Sequence, residues 1–509
     1  MFCSITGANI EGISAHKICV EADISGGLPS FNMVGMLSSE VKEAKERVER
    51  AITNSGIDFP SRRITINISP ANMRKQGTGF DLPIAVAILC CMELIDVTKT
   101  EDVLFCGELS LDGRINRVNG ILPIAAMAQQ EKIKKLVVPI ENTFEGAVID
   151  GIEVCGVQNL SELIAALKNN TLKPTEHVDL EQMLNEAYAN DASANNYKEV
   201  KGQDKAKRAT MIAAAGFHNI LYVGPPGSGK SMLAGRISTI SDRLTVEESI
   251  EISKIYSVTG KLDGNSLVLK RPFRAPHHSV TMTALAGGGN TPKPGEITLA
   301  HKGVLFLDEA AEFRRENIEI LRQPLEDKKI MVSRARLQVE YPADFMLVMA
   351  MNPCRCGFYP DRKLCRCSEN EVASYIGKIK GPVLDRIDVC VGTVKLEPNE
   401  LSGRSAGMSS EEMRERVACA HKRQQARFTG TNIGYNSKMT SSQTDEFCHI
   451  DKESRELLNK AYKKFNMTAR GYYKILKVAR TIADVEEKEN IEYKHVLEAI
   501  GYRIAFENQ

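Results

Sequence analysis

Hydrophobic periodicity divides the chain into blocks, and the first block covers residues 1–170. Residues 64–68 alternate apolar and polar side chains, which predicts a strand with one buried face. Apolar side chains recur at helical spacing in residues 38–54, which predicts a helix with a serine available as its cap. The apolar run at residues 82–89 is too short to cross a bilayer and predicts a buried helix. We therefore expect a compact α+β domain and no membrane partner.

The pattern changes twice after this block. Residues 171–198 are polar, which is typical of a linker or a loosely packed helix. Between residues 199 and 400, strands of the buried type alternate with helices, as in a parallel sheet covered on both faces. Residues 401–509 are mostly helical in pattern, for example at 409–425 and 451–465. The sequence therefore predicts a multidomain α/β protein.

A nucleotide-binding motif follows the short apolar strand predicted at residues 219–223. The letters GPPGSGKS match the P-loop pattern in its required strand–loop–helix context. Glycines let backbone N–H groups turn towards phosphates, and the helix that follows adds its positive end. We expect Lys230 to reach the β- and γ-phosphates of ATP and Ser231 to bind Mg²⁺. The predicted ATP-binding residues are Gly224, Pro225, Pro226, Gly227, Ser228, Gly229, Lys230 and Ser231.

A second apolar strand, predicted at residues 303–307, ends in Asp308 and Glu309. Ligands of an open α/β sheet lie at the carboxyl ends of its strands. We expect Asp308 to hold Mg²⁺ and Glu309 to polarise the attacking water. An apolar strand that ends in two carboxylates is common by itself, and it becomes specific because it lies downstream of a P-loop.

Three further residues are candidates for the same chemistry. Asn352 ends a third strand predicted at residues 345–351, where its amide could orient the lytic water or cap the following turn. Arg386 precedes another apolar strand and would reach the γ-phosphate of a neighbouring subunit. Arg470 opens a predicted helix and would sense the nucleotide. Either arginine could instead form a surface ion pair.

Composition limits these interpretations only loosely. The 509 residues suffice for about two to four domains. The formal net charge is +1, so any contact with DNA must come from local basic clusters. The N-terminus has no basic region followed by an apolar one, so we expect no secretory signal. Without such a signal, we expect the protein to be cytoplasmic and its 13 cysteines to be reduced.

Four of the cysteines form a cluster with the spacing C-x-C-x₈-C-x-C, directly after Asn352. Thiolates that close together suit tetrahedral zinc, although the usual spacer within a pair is two residues or more. The segment is too polar to fold by burial alone, which favours a structural zinc ion. The alternative is a loop with four reduced thiols. The candidate zinc ligands are Cys354, Cys356, Cys365 and Cys367.

The order of these motifs resembles that of AAA+ ATPases, from Lys230 through Asp308 and Asn352 to Arg386 and Arg470. Nearly the whole chain resembles the YifB/ComM family of magnesium-chelatase-like proteins. That likeness is carried by residues 271–278 (RPFRAPHH), 287–289, 294–297, 321–326 (LRQPLE) and 479–484 (ARTIAD).

The resemblance implies a hexameric ring in which Arg386 acts in trans and Arg470 has the role called sensor 2. It also implies an insertion at about residues 265–298 and a hairpin before the Asn352 strand. That hairpin is also visible in the pattern, because apolar residues alternate on both sides of a tip that contains Arg334 and Arg336. Arginines at a ring pore would follow a phosphate backbone. The alternative is a solvated charged turn.

The first block resembles the Lon protease domain as it occurs in this family, through residues 75–81 and 107–113. A Lon-type protease needs a serine nucleophile and a lysine base. Gly79 stands where Lon has its serine, and the lysine is missing near residues 119–122. We therefore expect a proteolytically inactive scaffold that helps the ring to assemble or binds DNA.

The resemblance gives each block a name. The expected domains are a Lon-protease-like inactive α+β domain (1–170), a linker (171–198), a P-loop AAA+ αβα core with the four-cysteine insertion (199–400), and a C-terminal helical lid, or magnesium-chelatase C-terminal domain (401–509).

The function implied is that of an ATP hydrolase that uses Mg²⁺ and forms a hexamer. It would be a DNA translocase or helicase that promotes branch migration during homologous recombination in natural transformation, with single-stranded or branched DNA as its partner. The alternative is a chelatase-type motor that remodels a partner protein. The missing serine–lysine dyad argues against a protease, and Lys230 with Glu309 argues against a non-catalytic binding module.

Overall fold

The structure is a computed structural model that describes residues 1–191, 196–262, 267–289, 292–334, 337–379, 383–396, 407–431 and 433–504. It divides into two compact units. Unit 1 comprises Met1–Met183 and Val246–Val268, and unit 2 comprises Leu184–Thr245 and Leu269–Gln509. Among the described helices, none combines the length and apolar character that a membrane crossing requires.

Unit 1 is built on a mixed seven-stranded sheet with the order β3-β4-β2-β1-β5-β8-β9. Strands β1 and β2 pair in antiparallel fashion over their whole length, whereas β5, β8 and β9 are parallel. A small antiparallel pair, β6 and β7, lies outside this sheet. The strands are β1 (Phe2–Glu11), β2 (Ser14–Ser25), β3 (Ser30–Val34), β4 (Arg63–Ser69), β5 (Val103–Phe105), β6 (Glu108–Leu109), β7 (Ile115–Asn116), β8 (Lys135–Pro139) and β9 (Glu153–Val157).

The helices of this part of the chain bury their apolar stripes, and α2 is buried along its whole length. The strand predicted at residues 64–68 and the helices predicted at 38–54 and 82–89 are confirmed. Ser38 does stand at the N-cap of α1, but its hydroxyl donates to the carboxylate of Glu40 instead of capping the backbone. The helices are α1 (Ser39–Asn54), α2 (Asp81–Cys91), α3 (Ile121–Gln130), α4 (Thr143–Gly146), α5 (Leu160–Asn169) and α6 (Leu180–Asp191).

The segment Val246–Val268 completes unit 1, although it lies between P-loop and sheet residues of unit 2 along the chain. Its helix α10 (Val246–Val258) buries Ile252 and Ile255 completely. The hydroxyl of Ser257 donates to the buried carboxylate of Glu145 in α4. The packing of unit 1 therefore includes a helix that the pattern had placed in the block 199–400.

Unit 2 contains a five-stranded sheet with the order β11-β14-β17-β10-β18, in which all pairs are parallel. Strands β10, β14 and β17 are buried throughout, which explains their nearly continuous apolar sequences. The strands of unit 2 are β10 (Ile220–Val223), β11 (Phe273–Arg274), β12 (Gly287–Gly288), β13 (Lys293–Pro294), β14 (Val304–Leu307), β15 (Lys329–Arg334), β16 (Leu337–Pro342), β17 (Met346–Met351) and β18 (Val389–Gly392).

Short helices accompany this sheet, and the longer ones come after residue 407. The helices are α7 (Asp204–Gly216), α8 (Lys230–Gly235), α9 (Ile237–Ile240), α11 (Met282–Ala286), α12 (Glu296–Leu299), α13 (Arg315–Glu319), α14 (Arg322–Asp327), α15 (Glu369–Gly377), α16 (Ser410–Arg427), α17 (Ser441–Phe447), α18 (Lys452–Lys464), α19 (Ala469–Val485) and α20 (Tyr493–Ile504). Serine and threonine caps begin several of them, including a capping box of Ser409 and Glu412 at α16.

The mixed α/β class and the parallel sheet predicted for the second block are confirmed. The predicted hairpin is also present, since β15 and β16 pair in antiparallel fashion from Lys329–Pro342 to Arg334–Leu337. Residues 171–198 include helix α6. The division into four named domains remains a proposal.

Candidate active site

The P-loop lies between β10 and α8, at the carboxyl edge of the parallel sheet. Gly227 and Gly229 have φ angles of 74° and 85°, in the left-handed region that favours glycine. Gly224 is required for a different reason, because a Cβ there would lie 2.1 Å from Oγ1 of Thr393, which follows β18. Glycines therefore provide both the turn geometry of the loop and its close approach to the residue after β18.

The ammonium group of Lys230 is buried within the loop. Its Nζ donates to the carbonyl oxygens of Gly224 and Pro225, at 2.8 and 3.0 Å, and to Oδ1 of Asn352 at 3.1 Å. Burial lowers the pKa of Lys230, and the carboxylates of Asp308 and Glu309 oppose that shift. The hydrogen bond to Asn352 joins the first residue of α8 to the residue after β17, a strand that pairs in parallel with β10.

Ser231 and Asp308 also meet, since the serine hydroxyl donates to Oδ2 of Asp308 at 2.6 Å. A hydroxyl and a carboxylate are the oxygen ligands that Mg²⁺ takes in phosphate-binding sites, usually together with water and substrate oxygens. The two groups predicted to hold Mg²⁺ are therefore adjacent and chemically suited to it.

Glu309 follows Asp308 with a φ of 50°, and its backbone N–H donates to Oδ1 of Asp308 at 2.9 Å. The side chain of Glu309 is 59% exposed. Its Oε2 lies 3.5 Å from Nδ1 of His278. His278 comes shortly after β11, which pairs with β14. This contact was not predicted; the position of His278 after a strand at the same sheet edge was the available signal.

The two predicted arginines meet at a third residue. One Nη of Arg386 contacts Oε1 of Glu326, and one Nη of Arg470 lies 3.2 Å from the same oxygen. Arg386 is buried, whereas the side chain of Arg470 is 65% exposed. Both line a cavity of about 210 Å³ that also presents Lys328, Lys438, Lys474 and Lys477. The contact of both arginines with Glu326 was not anticipated from the sequence.

The four candidate zinc ligands converge. Their sulfur atoms all lie within 4.8 Å of one another, and Sγ of Cys354 is 3.3 Å from that of Cys356 and 3.7 Å from that of Cys365. A tetrahedral zinc ion with bonds of about 2.3 Å places its sulfurs about 3.8 Å apart. The backbone N–H of Phe358 lowers the pKa of Cys356 to about 6, whereas burial raises the pKa of Cys365 to about 11. The residues therefore fit a zinc ion.

The four-cysteine loop lies against the P-loop. A Cβ at Gly357 would approach Cδ of Pro226 to 2.5 Å, so glycine is required for this packing. Beside the contact is a cavity of about 1520 Å³ whose walls include P-loop residues, Phe358 and Tyr359 of the cysteine loop, the end of β18 and helix α20. A change in the cysteine loop would therefore alter the surroundings of the nucleotide site.

The hairpin arginines are described only in part. Arg334 ends β15, and Arg336 lies outside the described residues. Their contact with DNA remains a prediction.

In the Lon-like segment, a side chain at residue 79 would crowd a neighbouring thiol. A Cβ on Gly79 would lie 2.9 Å from Sγ of Cys106. That thiol is buried, and burial raises its pKa to about 12, so it is not ionised at neutral pH. Lys75 is completely buried and donates to the carbonyl oxygen of Pro70. Among these residues no nucleophile–base pair is formed.

Three protein-family models together match most of the chain. "Magnesium chelatase, subunit ChlI" matches residues 196–401, "Subunit ChlI of Mg-chelatase" matches residues 20–142, and "Magnesium chelatase, subunit ChlI C-terminal" matches residues 407–503. With the sheet and the P-loop geometry, these matches define a magnesium-chelatase-like AAA+ protein, a class that uses ATP and Mg²⁺ and usually forms oligomers.

Individual relatives extend this result. Competence protein ComM of Haemophilus influenzae is 38% identical over 496 residues, which is 97% of this chain and 95% of the relative. The Escherichia coli protein YifB is also 38% identical, over 498 residues. Lon protease 2 of Bacillus subtilis is 28% identical over 177 residues, 34% of this chain and 30% of the relative. The chain belongs to the YifB/ComM family of magnesium-chelatase-like proteins.

Proposed function

We propose that the protein is an ATP-driven motor that translocates on DNA and promotes branch migration during recombination of incoming DNA. The contact set of Lys230, Asn352, Ser231 and Asp308 carries the ATP-hydrolysing part of this proposal. The likeness to a competence protein supports the biological context of natural transformation.

In the proposed reaction, Lys230 leaves its carbonyl partners and binds the β- and γ-phosphates, while backbone N–H groups of residues 224–231 surround them. Ser231 and Asp308 would hold Mg²⁺, which would neutralise charge on the phosphate oxygens. Glu309 accepts a hydrogen bond from the attacking water and polarises it. Asn352, next to Lys230, orients the same water.

The arginines complete the site from a neighbouring subunit of a hexameric ring. Arg386 and Arg470 share one carboxylate oxygen of Glu326, so one movement could present both guanidinium groups to a γ-phosphate. Charge stabilisation of this kind by an arginine is a general device of phosphoryl transfer. Both residues are therefore proposed to act in trans.

The hairpin of β15 and β16 is proposed to contact single-stranded or branched DNA through Arg334 and Arg336. Arginines that follow a phosphate backbone give affinity without sequence preference, as a translocase needs. A zinc ion on Cys354, Cys356, Cys365 and Cys367 would hold the loop against the P-loop. Unit 1 is proposed to be an inactive Lon-like scaffold for ring assembly or DNA binding.

A second candidate is a chelatase-type motor that remodels a partner protein. The matches to magnesium chelatase subunits favour it, because they cover both units and the C-terminal helices. It shares the ATP site and differs in what the hairpin touches.

The two functions separate in one experiment. ATP hydrolysis is measured without DNA and with linear single-stranded, duplex and four-way branched DNA, and strand displacement is measured on the branched substrate. We expect branched or single-stranded DNA to raise the rate by about tenfold or more, and an Arg334→Glu/Arg336→Glu variant to lose that stimulation because its charge is reversed at the phosphate backbone.

Arg315→Glu is the matched control, since Arg315 is an exposed arginine that forms an ion pair with Glu319 on the same helix. It should keep DNA stimulation. If no DNA raises the rate of the wild-type protein and no strand is displaced, the translocase proposal is rejected in favour of the chelatase-type motor.

A further inference from the structure

Glu326 connects the arginine pair to the hairpin. It lies in α14, and only Asp327 and Lys328 separate it from the first residue of β15. The carbonyl oxygen of Lys328 accepts a hydrogen bond from the backbone N–H of Ala343 at 2.8 Å, just after β16. The base of the hairpin is thus closed by Lys328, the residue that follows α14, so a displacement of α14 would reach both strands.

The charges at this place are unbalanced. Oε1 of Glu326 receives two guanidinium groups, and the adjoining cavity of about 210 Å³ presents four lysines beside them. The acids in its wall are Glu326, Asp385 and Asp388. Asp388 pairs with Nζ of Lys474 at 2.8 Å, and Asp344, outside the wall, pairs with Lys328 and Lys438. Both arginines are left with Glu326 as their shared acid in the wall. An incoming phosphate would therefore compete with Glu326 for the arginine pair.

We propose that Glu326 is a positioning residue that holds Arg386 and Arg470 inside their own subunit until a neighbour's γ-phosphate displaces it. Transfer of the arginines to the neighbouring nucleotide then releases α14 and the base of the hairpin. The step links occupancy of one active site to the DNA-contacting element of the next subunit, and it rests on the proposed action of the arginines in trans.

The geometry favours this role over a purely structural ion pair. A structural carboxylate is normally enclosed with its partners, whereas the side chain of Glu326 is 41% exposed and that of Arg470 is 65% exposed. The pair can therefore open without unfolding the surrounding core. Arg386 is buried, so its guanidinium group has to leave this contact before it can reach a neighbour's phosphate.

The test is the basal ATPase rate of Glu326→Gln, measured without DNA over a range of protein concentrations. Loss of the charge frees the arginines, so we expect the rate per subunit to rise by about two- to fivefold, in line with the modest strength of a partly exposed ion pair. Glu326→Asp keeps the charge and should keep a low basal rate. Glu319→Gln, which removes an exposed carboxylate 2.7 Å from Arg315, is the matched control and should be unchanged.

Mixed assemblies decide whether the effect acts in trans. Wild-type subunits are mixed with a Lys230→Ala/Glu326→Gln variant, which lacks its own phosphate-binding lysine but offers freed arginines to a neighbour. We expect the wild-type subunits to hydrolyse ATP faster than in mixtures with Lys230→Ala alone. Equal rates in the two mixtures, or a rise that is independent of protein concentration, would overturn the proposal.

Measurements with DNA distinguish the proposal on Glu326 from the proposed translocase function. In the Glu326→Gln variant, the ratio of stimulated to basal rate should fall, since the hairpin no longer depends on the arginines. If wild-type protein shows no stimulation by DNA, the translocase function fails while the mixed assemblies still decide the role of Glu326.

Discussion

Two buried lysines of this protein stand in opposite situations. Lys230 of the P-loop is held by two carbonyl oxygens and Asn352, all beside a carboxylate-lined edge of the sheet. Lys75 in the Lon-like segment is enclosed with the carbonyl oxygen of Pro70. Burial lowers the pKa of both. A perturbed lysine therefore does not identify a reactive site unless its neighbours can exchange partners with a ligand.

The surroundings make the difference clearer. Next to Lys230, glycines leave backbone N–H groups open to phosphates, and Ser231 with Asp308 supplies oxygen ligands. Near Lys75, the place of a serine side chain is filled by the thiol of Cys106, which approaches Gly79. One region keeps space for a substrate, and the other has closed it with an apolar contact.

The largest expected effect is the difference in ATPase rate between variants that carry the same substitution at one or the other lysine. Lys230→Met should lower kcat for ATP by at least about 100-fold, the typical cost of losing one charge-stabilising donor. Lys75→Met should leave the ATPase rate within about twofold, because Lys75 belongs to a separate compact unit and shares no partner with Lys230 in the described contacts. Steady-state ATP hydrolysis measures both variants. A loss of activity in Lys75→Met that matched Lys230→Met would break the contrast between the regions.

An intermediate effect is expected from the four-cysteine loop. Cys354→Ser/Cys365→Ser should lose its stoichiometric zinc and raise KM for ATP by about fivefold or more, the lower range of coupling between two sites. The physical reason is the packing of Gly357 against Pro226. Metal analysis and ATPase kinetics on the same preparation provide the measurement.

Cys419→Ser is the control for this pair, because Cys419 lies in α16, outside the cysteine cluster. It should keep both the metal content and the KM of the wild-type protein. Zinc that stayed below stoichiometry in the wild type and did not change in the double variant would refute the zinc site.

The smallest effect on activity, and a clear one on stability, is expected at Gly79. Gly79→Ser should create no peptidase activity and should lower the free energy of unfolding by about 1–3 kcal/mol, since its Cβ would overpack against Cys106. The ATPase rate should stay within about twofold. Urea denaturation followed by circular dichroism gives the free energy.

Cys106→Ala tests the cause of that loss. In the Gly79→Ser/Cys106→Ala variant the smaller residue makes room for the serine, so part of the stability should return. Peptide hydrolysis by either variant would show that the segment retains a catalytic arrangement, contrary to the proposed inactive scaffold.

The sequence was most informative where function depends on neighbouring positions. The P-loop is one contiguous strand–loop–helix pattern, and Asp308 is recognisable at the end of an apolar strand. The parallel sheet places these ends together, so the contacts of Ser231 and Lys230 follow from the predicted class of fold.

Contacts between distant positions could not be predicted in this way. Glu326 ends the LRQPLE motif that carries the family resemblance, but nothing local indicates that Arg386 and Arg470 meet it. The thiol of Cys106 near Gly79 is a second example. Periodicity shows that a helix has an apolar face but not what covers that face, which is why the pattern did not show that helix α10 packs in unit 1.

Unit 1 is consequently not a contiguous stretch of the gene. A fragment that ended at Met183 would lack Val246–Val268, and with it the buried Ile252 and Ile255 and the hydroxyl of Ser257 that bonds to Glu145. Cloning the two halves separately would therefore leave the first without the helix that buries Ile252 and Ile255, and a fragment that keeps this packing would have to carry residues 246–268 as a graft.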